Sequence, residues 1–163
     1  MSRSVMRHQS APLRLIAMRL EVAELEAAVR APNVVEGWRL TLHHHDGRAP
    51  DQIATWLKMR GQDSAHMTTV YRRATERPLI LKHFIPAERY QAFVKGARQL
   101  NFDRMDDAPD IPWIGADLWL LERAAGGFHH DVILVPDRAA GAHAALIALL
   151  REHLKEALRT VNT

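Results

Sequence analysis

The sequence predicts an α+β domain, an antiparallel sheet of about five strands with helices packed on one face. Two observations support this prediction. Short segments of alternating apolar and polar residues are joined by turns too short for the crossovers that parallel strands need. Longer segments with apolar residues three and four positions apart have the spacing of amphipathic helices. No linker or repeat divides the chain, so we expect one domain over residues 1–163, with residues 1–10 as a flexible leader.

The composition is that of an ordinary globular protein. Of the 163 residues, 47% are hydrophobic and 25% are charged, and no apolar run is long enough to span a membrane. The 22 basic residues are scattered among 19 acidic ones, so the composition gives nucleic-acid binding no support. Cysteine is absent and no secretory signal is recognised, so we expect a cytoplasmic protein without disulfides or thiolate metal sites.

The first part of the chain predicts a helix, a strand and a second helix. The first helix stops before Pro32. Its apolar face consists of Leu13, Ile16, Ala17, Leu20, Ala23 and Ala27. Residues 38–43 alternate as a strand and run into a turn at residues 46–47. Residues 51–60 predict a short helix, because their apolar side chains fall on one side and Gly61 follows.

The middle of the chain predicts a hairpin, a helix and a loop. Residues 67–73 and 79–85 are both strand-like and are separated by a turn. Pro86 then opens an amphipathic helix. Residues 101–115 contain two prolines and several aspartates, and they form the longest predicted loop.

A second hairpin is the clearest local pattern in the sequence. Residues 117–123 and 128–135 are strands joined by a turn within residues 124–127. The simplest register places Glu122 opposite His129, and a slip by an even number of residues leaves every side chain on the same face. The core face is predicted to carry Trp119, Leu121, Phe128, His130, Val132 and Leu134. The opposite face is predicted to carry Leu118, Leu120, Glu122, His129, Asp131 and Ile133.

This hairpin resembles one found in a broad group of uncharacterised bacterial proteins. The resemblance rests on Trp119, Glu122, Phe128, His129 and Pro136. In that group a strand of the form W-x-L-E is followed by a short turn, an aromatic-His dipeptide, a hydrophobic strand ending in Pro and a C-terminal helix. The resemblance extends over about the last hundred residues. It implies this local fold, with a final helix after Pro136, and it implies no activity.

Glu122, His129 and Asp131 are the candidate catalytic residues, because an imidazole oriented by carboxylates is what general-base catalysis requires. A bulge at the turn would exchange the faces of one strand and bring His130 there instead. A nucleophile is missing, since there is no cysteine and no GxSxG motif, and Ser64 is an isolated loop residue. A cross-strand ion pair is therefore the favoured interpretation.

The sequence His43-His44-His45-Asp46 is the candidate metal site, because imidazoles beside a carboxylate can bind Zn, Ni or Cu. Along a strand, neighbouring side chains point to opposite faces, so we expect only His43 and His45 to converge. A closed site would need further ligands from elsewhere in the chain. A solvated strand end is favoured, and we expect no metal and no cofactor.

The candidate binding residues are Trp113, Arg72 and Arg73. The two arginines belong to a basic hairpin that could contact phosphate or an acidic partner, although a solvated hairpin is the simpler interpretation. Trp113 lies in a loop and is either tucked against the sheet, which is favoured, or presented to a partner.

These patterns favour a non-catalytic module that binds another protein, or its own copy, through an exposed sheet face and the Trp113 loop. A hydrolase, based on His and carboxylate groups or on a metal, is the alternative. A binder of anions or small ligands at the basic hairpin is a third interpretation. Convergence of three or more His and carboxylate groups in one pocket would favour the enzyme.

Overall fold

The computed structural model describes residues 3–161, and the side chains of residues 9–161. Its helices are α1 (Arg3–Arg19), α2 (Leu25–Val29), α3 (Ala87–Gln99), α4 (Gly141–His153) and α5 (Lys155–Leu158). Its strands are β1 (Val34–His43), β2 (Gln52–Met59), β3 (Ala65–Tyr71), β4 (Leu79–Ile85), β5 (Leu118–Ala125) and β6 (Phe128–Leu134). Residues 1–2 of the leader predicted for residues 1–10 lie outside the described residues, and residues 3–10 belong to α1 rather than to a flexible segment.

The strands form one antiparallel sheet in the order β4-β3-β2-β1-β5-β6. This confirms the predicted α+β class, with six strands where about five were expected. The extra strand is β2, because residues 51–60 are not a helix. Ile53 and Trp56 are both buried but lie on opposite faces of the central strand β2. A strand covered on both faces loses the alternation that identifies it in sequence, so its apolar spacing resembled that of a helix.

Helices cover both faces of the sheet, where the sequence predicted one covered face. On one face, α3 and α4 pack over a core that includes Trp38, Trp56 and Trp119. On the other face, apolar residues of α1 pack against β2, β5 and β6. The residues of this second core are Leu13, Ile16, Leu20, Ile53, Val70, Ala108, Ala116, Leu118, Leu120, Ile133 and Val135. A second helical layer is needed because the central strands are apolar on both sides.

Two of the predicted helices are each divided in two. The first is interrupted between α1 and α2, where Glu21 adopts a left-handed φ of 57°. The interruption turns α2 back so that Leu25 and Val29 pack on the sheet beside Ala124. The C-terminal helix is interrupted at Leu154, whose φ of −130° and ψ of 45° are not helical. Short interruptions of this kind keep the apolar spacing, so they are not visible in the periodicity.

The hairpin of β5 and β6 confirms the predicted faces and corrects the register. Leu118, Leu120 and Ile133 belong to the core under α1, and Trp119 belongs to the opposite core. Ala125 and Phe128 form the last pair, so the turn has two residues, and Glu122 lies opposite Asp131. The predicted register centred the turn between residues 125 and 126, whereas the turn occupies residues 126–127, and the shift between the two registers is even.

Candidate functional sites

The face of the sheet beneath α1 carries a row of polar side chains that runs across all six strands. From β4 at one edge to β6 at the other, the row consists of Lys82, Thr68, Thr55, Arg39, Glu122 and Asp131. Lys82 is exposed at the edge, whereas Arg39, Glu122 and Asp131 are buried under the helices. Buried charges need partners. The helices supply them.

Arg14 of α1 is the central partner of this row. Its Nη2 donates to Asp131 Oδ2 at 2.8 Å and lies 3.5 Å from Glu122 Oε1. Its Nη1 lies 3.5 Å from Glu26 Oε1 of α2. Burial opposes the charge of Arg14, but the attraction of Glu122, together with the hydrogen bond and charge of Asp131, raises the pKa of its guanidinium. Arg14 therefore connects α1 and α2 to the sheet through ion pairs with Glu26, Glu122 and Asp131.

His129 completes what we call the Arg14 cluster, defined as Arg14, Glu26, Arg39, Glu122, His129 and Asp131. Its Nε2 lies 3.1 Å from Glu122 Oε1 and 3.3 Å from Glu26 Oε1. The structure thus brings together all three candidate catalytic residues predicted from the sequence. It adds Arg14, Glu26 and Arg39, which sequence reasoning missed. Arg14 and Glu26 come from helices more than 90 residues away along the chain, and no local pattern links them to the hairpin.

Arg39 is the most deeply buried cation of the Arg14 cluster. Burial lowers the pKa of its guanidinium, and the neighbouring carboxylate of Glu122 partly compensates. Its Nε donates to Thr55 Oγ1 at 2.9 Å. For Glu26, burial acts to raise the pKa, but a backbone hydrogen bond and the charges of His129 and Arg14 outweigh it and lower that pKa. The cluster therefore holds two guanidinium groups against three carboxylates.

A cavity of about 240 Å³ lies beside the Arg14 cluster, between α1, α2 and the sheet. Its walls are mainly apolar and include Leu15, Met18 and Val22, while Arg39 and Glu122 contribute polar atoms. Glu26 Oε2 is buried and has no hydrogen-bond partner among the described residues. Among the described residues, the serine hydroxyl next to the cluster is that of Ser10, and its Oγ donates to Asp131 Oδ2 at 3.0 Å. No serine–histidine pair for nucleophilic catalysis is formed in the described part of the chain.

The histidines that follow one another at the end of β1 do not converge as predicted. His43 Nδ1 lies 2.8 Å from Asp51 Oδ1, whereas His45 Nδ1 lies 2.8 Å from Asp117 Oδ1. The prediction assumed that the strand continued through His45, but β1 ends at His43 and the chain turns. The histidine between them, His44, is buried.

The two groups of candidate binding residues lie on different elements. Arg72 is exposed next to the β3–β4 turn, and Arg73 forms an ion pair with Glu76 at 2.6 Å. Trp113 is not tucked against the sheet, because 43% of its surface is exposed. The loop is held instead by Ala108, Ile111 and Ala116, which pack in the core under α1. The anchoring of the loop by these smaller residues leaves Trp113 outside.

The outer strand β4 carries apolar side chains that are covered by none of the side chains described between residues 9 and 161. Ile80 is 58% exposed and Phe84 is 61% exposed, on the face that α1 covers farther along the sheet. Lys82 lies between them and is also exposed. We call Ile80, Lys82 and Phe84, with His66 and Thr68 beside them on β3, the open sheet face. Exposed apolar residues grouped on an edge strand are unusual and indicate an interaction surface.

The fold and these surfaces define an α+β protein built on one six-stranded antiparallel sheet. Between residues 3 and 161, no helix combines the length and the apolar composition needed to cross a bilayer. Comparison of the chain with protein-family models and with curated proteins finds no match. Function is therefore inferred from the geometry of the chain itself.

Proposed function

We propose that this protein is a non-catalytic binding module that takes up an extended acidic segment of a partner protein along β4. The observation that carries the proposal is the exposure of Ile80 and Phe84 on the outermost strand of the sheet. A strand at a sheet edge has unpaired backbone N–H and C=O groups that can pair with an added strand. Side chains of such a segment would pack on the open sheet face.

The charges around β4 favour an acidic segment. Lys82 lies between the two apolar side chains on the same face. Arg72 and Arg77 are exposed at the neighbouring turn. Among the described residues, none of these three cations has an ion-pair partner, whereas Arg73 is paired with Glu76. An added strand with carboxylates near these positions would gain opposite-charge pairs across the strands.

The same charges disfavour a second copy of this chain as the occupant. Lys82 is the central residue of β4 (Leu79–Ile85). Pairing of β4 with its own copy about a twofold axis would place the two Lys82 side chains near each other. Like charges that face each other across strands are destabilising, and an edge lysine is a common means of preventing such pairing.

The proposal is tested with a fluorescent peptide of about eight residues in which Glu alternates with Val and Thr. Fluorescence anisotropy should show binding to the wild-type protein, and Phe84→Ser and Lys82→Glu should each weaken it. Ile114→Ser is the matched control, because Ile114 is exposed but lies in the Trp113 loop, away from β4. A second peptide, in which Lys replaces every Glu of the first, should bind poorly to the wild type and better to Lys82→Glu.

Three outcomes would contradict the proposal. The first is equal binding by Phe84→Ser and the wild type, and the second is no binding up to about 1 mM peptide. The third is a concentration-dependent dimer, seen by sedimentation, that Phe84→Ser dissociates, because it would make the second copy the occupant of β4. A version of the peptide with proline at alternate positions should not bind, since proline lacks the N–H that pairs with the edge.

A hydrolase centred on His129 is the second candidate, because three carboxylates and an imidazole converge beside a cavity. Both Glu122 and Glu26 contact the same ring nitrogen, Nε2, and Arg14 Nη2 lies 3.1 Å from Nε2 and 3.4 Å from Nδ1. These charged neighbours compete with a substrate for the ring nitrogens. The test compares hydrolysis of p-nitrophenyl acetate and p-nitrophenyl phosphate by the wild type and by His129→Gln. Hydrolysis by the wild type that is absent in the folded His129→Gln variant would favour the enzyme. Equal hydrolysis rates for the two proteins would exclude this use of His129.

A further inference from the structure

We infer that His45, Asp46 and Asp117 form a binding site for a divalent transition-metal ion, at which the side chain of Arg48 occupies the position of the ion. One ligand atom from each of the three residues lies within 4.8 Å of the other two. His45 and Asp46 belong to the turn after β1, and Asp117 immediately precedes β5. The strands β1 and β5 are neighbours, with His43 opposite Leu118, so the sheet brings these distant residues together.

The buried imidazole of His44 is an independent indication of a missing ligand. Its side chain is only 7% exposed, and neither ring nitrogen has a hydrogen-bond partner among the described residues. The Nδ1 atom points at the site, because it lies 3.6 Å from Asp117 Oδ2. That distance is too long for a hydrogen bond. A buried polar group without a partner is costly, so an arrangement in which His44 gains one is favoured.

A metal ion would provide that arrangement. Bound to Asp117, the ion would displace the guanidinium of Arg48 and leave Oδ2 free to accept a hydrogen bond from Nδ1 of His44. Residues that hold a ligating carboxylate in this way orient the ligand and strengthen metal binding. His44 is therefore a positioning residue, and His45, Asp46 and Asp117 are the ligands.

The ligand types define which ions fit. An imidazole with two carboxylates suits Zn²⁺ or Ni²⁺, whereas Ca²⁺ and Mg²⁺ prefer oxygen ligands alone. Three ligands from the protein leave at least one coordination position for water. Asp117 is buried, while His45 and Asp46 are exposed, so the ion would enter from solvent.

Arg48 now supplies the positive charge at this position. Its guanidinium donates to Asp46 Oδ1 at 2.8 Å and to both carboxylate oxygens of Asp117. The side chain is half exposed, so it can leave the site without unfolding the turn. Arg48 and the metal compete for the same oxygens, and removal of Arg48 should therefore increase metal affinity. This sign distinguishes a metal site from a purely structural ion pair.

The experiment is isothermal titration of ZnCl₂ and NiCl₂ into the metal-free protein. The wild type should bind one ion per chain, and Arg48→Gln should bind it about fivefold more tightly. Asp117→Asn and Asp46→Asn should each weaken binding by about tenfold or more. His44→Gln should weaken it by about tenfold, the usual effect of losing a residue that orients a ligand. His43→Gln is the matched control, because His43 contacts Asp51 outside the site.

Circular dichroism of each variant establishes that it is folded. The inference is overturned if Arg48→Gln binds neither ion at about 1 mM, or if Arg48→Gln binds no more tightly than the wild type. It is also overturned if Asp46→Asn, which alters an exposed residue, binds like the wild type. Loss of binding in His43→Gln would move the site to Asp51 and reject the proposed ligands.

Discussion

Glu122 Oε1 lies 3.1 Å from Nε2 of His129, although neither residue is the cross-strand partner of the other. Glu122 pairs with Asp131, and His129 pairs with Ala124. The contact is thus diagonal across β5 and β6, at a distance that long side chains bridge. From the helices above, Arg14 contacts both side chains and Glu26 contacts His129. The stability of the cluster therefore depends on the docking of α1.

Replacement of Arg14 by methionine tests this dependence. Arg14→Met leaves the carboxylates of Glu122 and Asp131 without their shared cation. Removal of one partner from a fully buried ion pair costs about 3–5 kcal/mol, and because the Arg14 side chain is 24% exposed we expect a smaller loss, about 2 kcal/mol. Urea unfolding of the variant and the wild type measures this loss in the free energy of unfolding. Arg19→Met, an exposed arginine in the same helix, should change the free energy of unfolding by less than about 0.5 kcal/mol.

The double variant separates the loss of the ion pair from the loss of packing. If Arg14 and Asp131 interact as the 2.8 Å contact indicates, Arg14→Met together with Asp131→Asn should cost less than the sum of the two single changes. The expected coupling is about 1 kcal/mol. Strict additivity would show that Arg14 and Asp131 do not interact, and the loss in Arg14→Met would then come from the contacts of Arg14 with Glu122 and Glu26.

The sequence predicted which side chains share a face of the sheet better than it predicted their contacts with other elements. The faces of the β5–β6 hairpin follow from the two-residue period of a strand, and any even register preserves them. The exact register depended on the position of the turn, and Gly126, with a φ of 54°, favours a two-residue turn at residues 126–127. The contact of Arg14 with Asp131 spans 117 positions, and no pattern within either segment indicates it.

The residues proposed as metal ligands show the same limit. The sequence placed His43 and His45 on one face because it assumed that the strand continued. The strand ends at His43, and the most buried of the proposed ligands is Asp117, 72 positions after His45. Sequence reasoning anticipated that ligands from elsewhere would be needed, but only the pairing of β1 with β5 identifies them. The strand β2, within the predicted helix of residues 51–60, likewise depends on long-range pairing with β1 and β3.

Gly37 provides a test of how closely α2 packs on the sheet. A Cβ atom at this position would lie 2.7 Å from Val29 Cγ1 and 2.9 Å from Leu57 Cδ2. Gly37→Ala should therefore lower the free energy of unfolding by about 1–3 kcal/mol, the usual cost of overpacking. Gly127→Ala is the matched control, because nothing lies within 4 Å of a Cβ there, and it should leave stability nearly unchanged. Equal melting temperatures for the two variants would show that α2 is loosely held.

Glu156 of α5 should make stability dependent on pH. Arg89 of α3 binds both carboxylate oxygens of Glu156 and also donates to His153 O at 2.9 Å. Burial acts to raise the pKa of Glu156, but the hydrogen bonds and charge of Arg89 outweigh it, and the pKa is lowered from its usual 4.5. A carboxyl group whose pKa is lowered by folding stabilises the native state above its unfolded pKa. This stabilisation is lost as the pH falls through the folded pKa.

Glu156→Gln should consequently be less stable than the wild type at pH 7, and the difference should shrink as the pH falls below about 4.5. Thermal unfolding at pH 7, 5, 4 and 3 measures this difference directly. Glu152→Gln is the matched control, because it removes the same charge from an exposed position of α4 whose nearest basic group is 3.8 Å away. The Glu156→Gln deficit should exceed that of Glu152→Gln at pH 7 and approach it at pH 3. A Glu156→Gln deficit that stays constant from pH 7 to pH 3 would mean that the loss comes from packing rather than from the ion pair with Arg89.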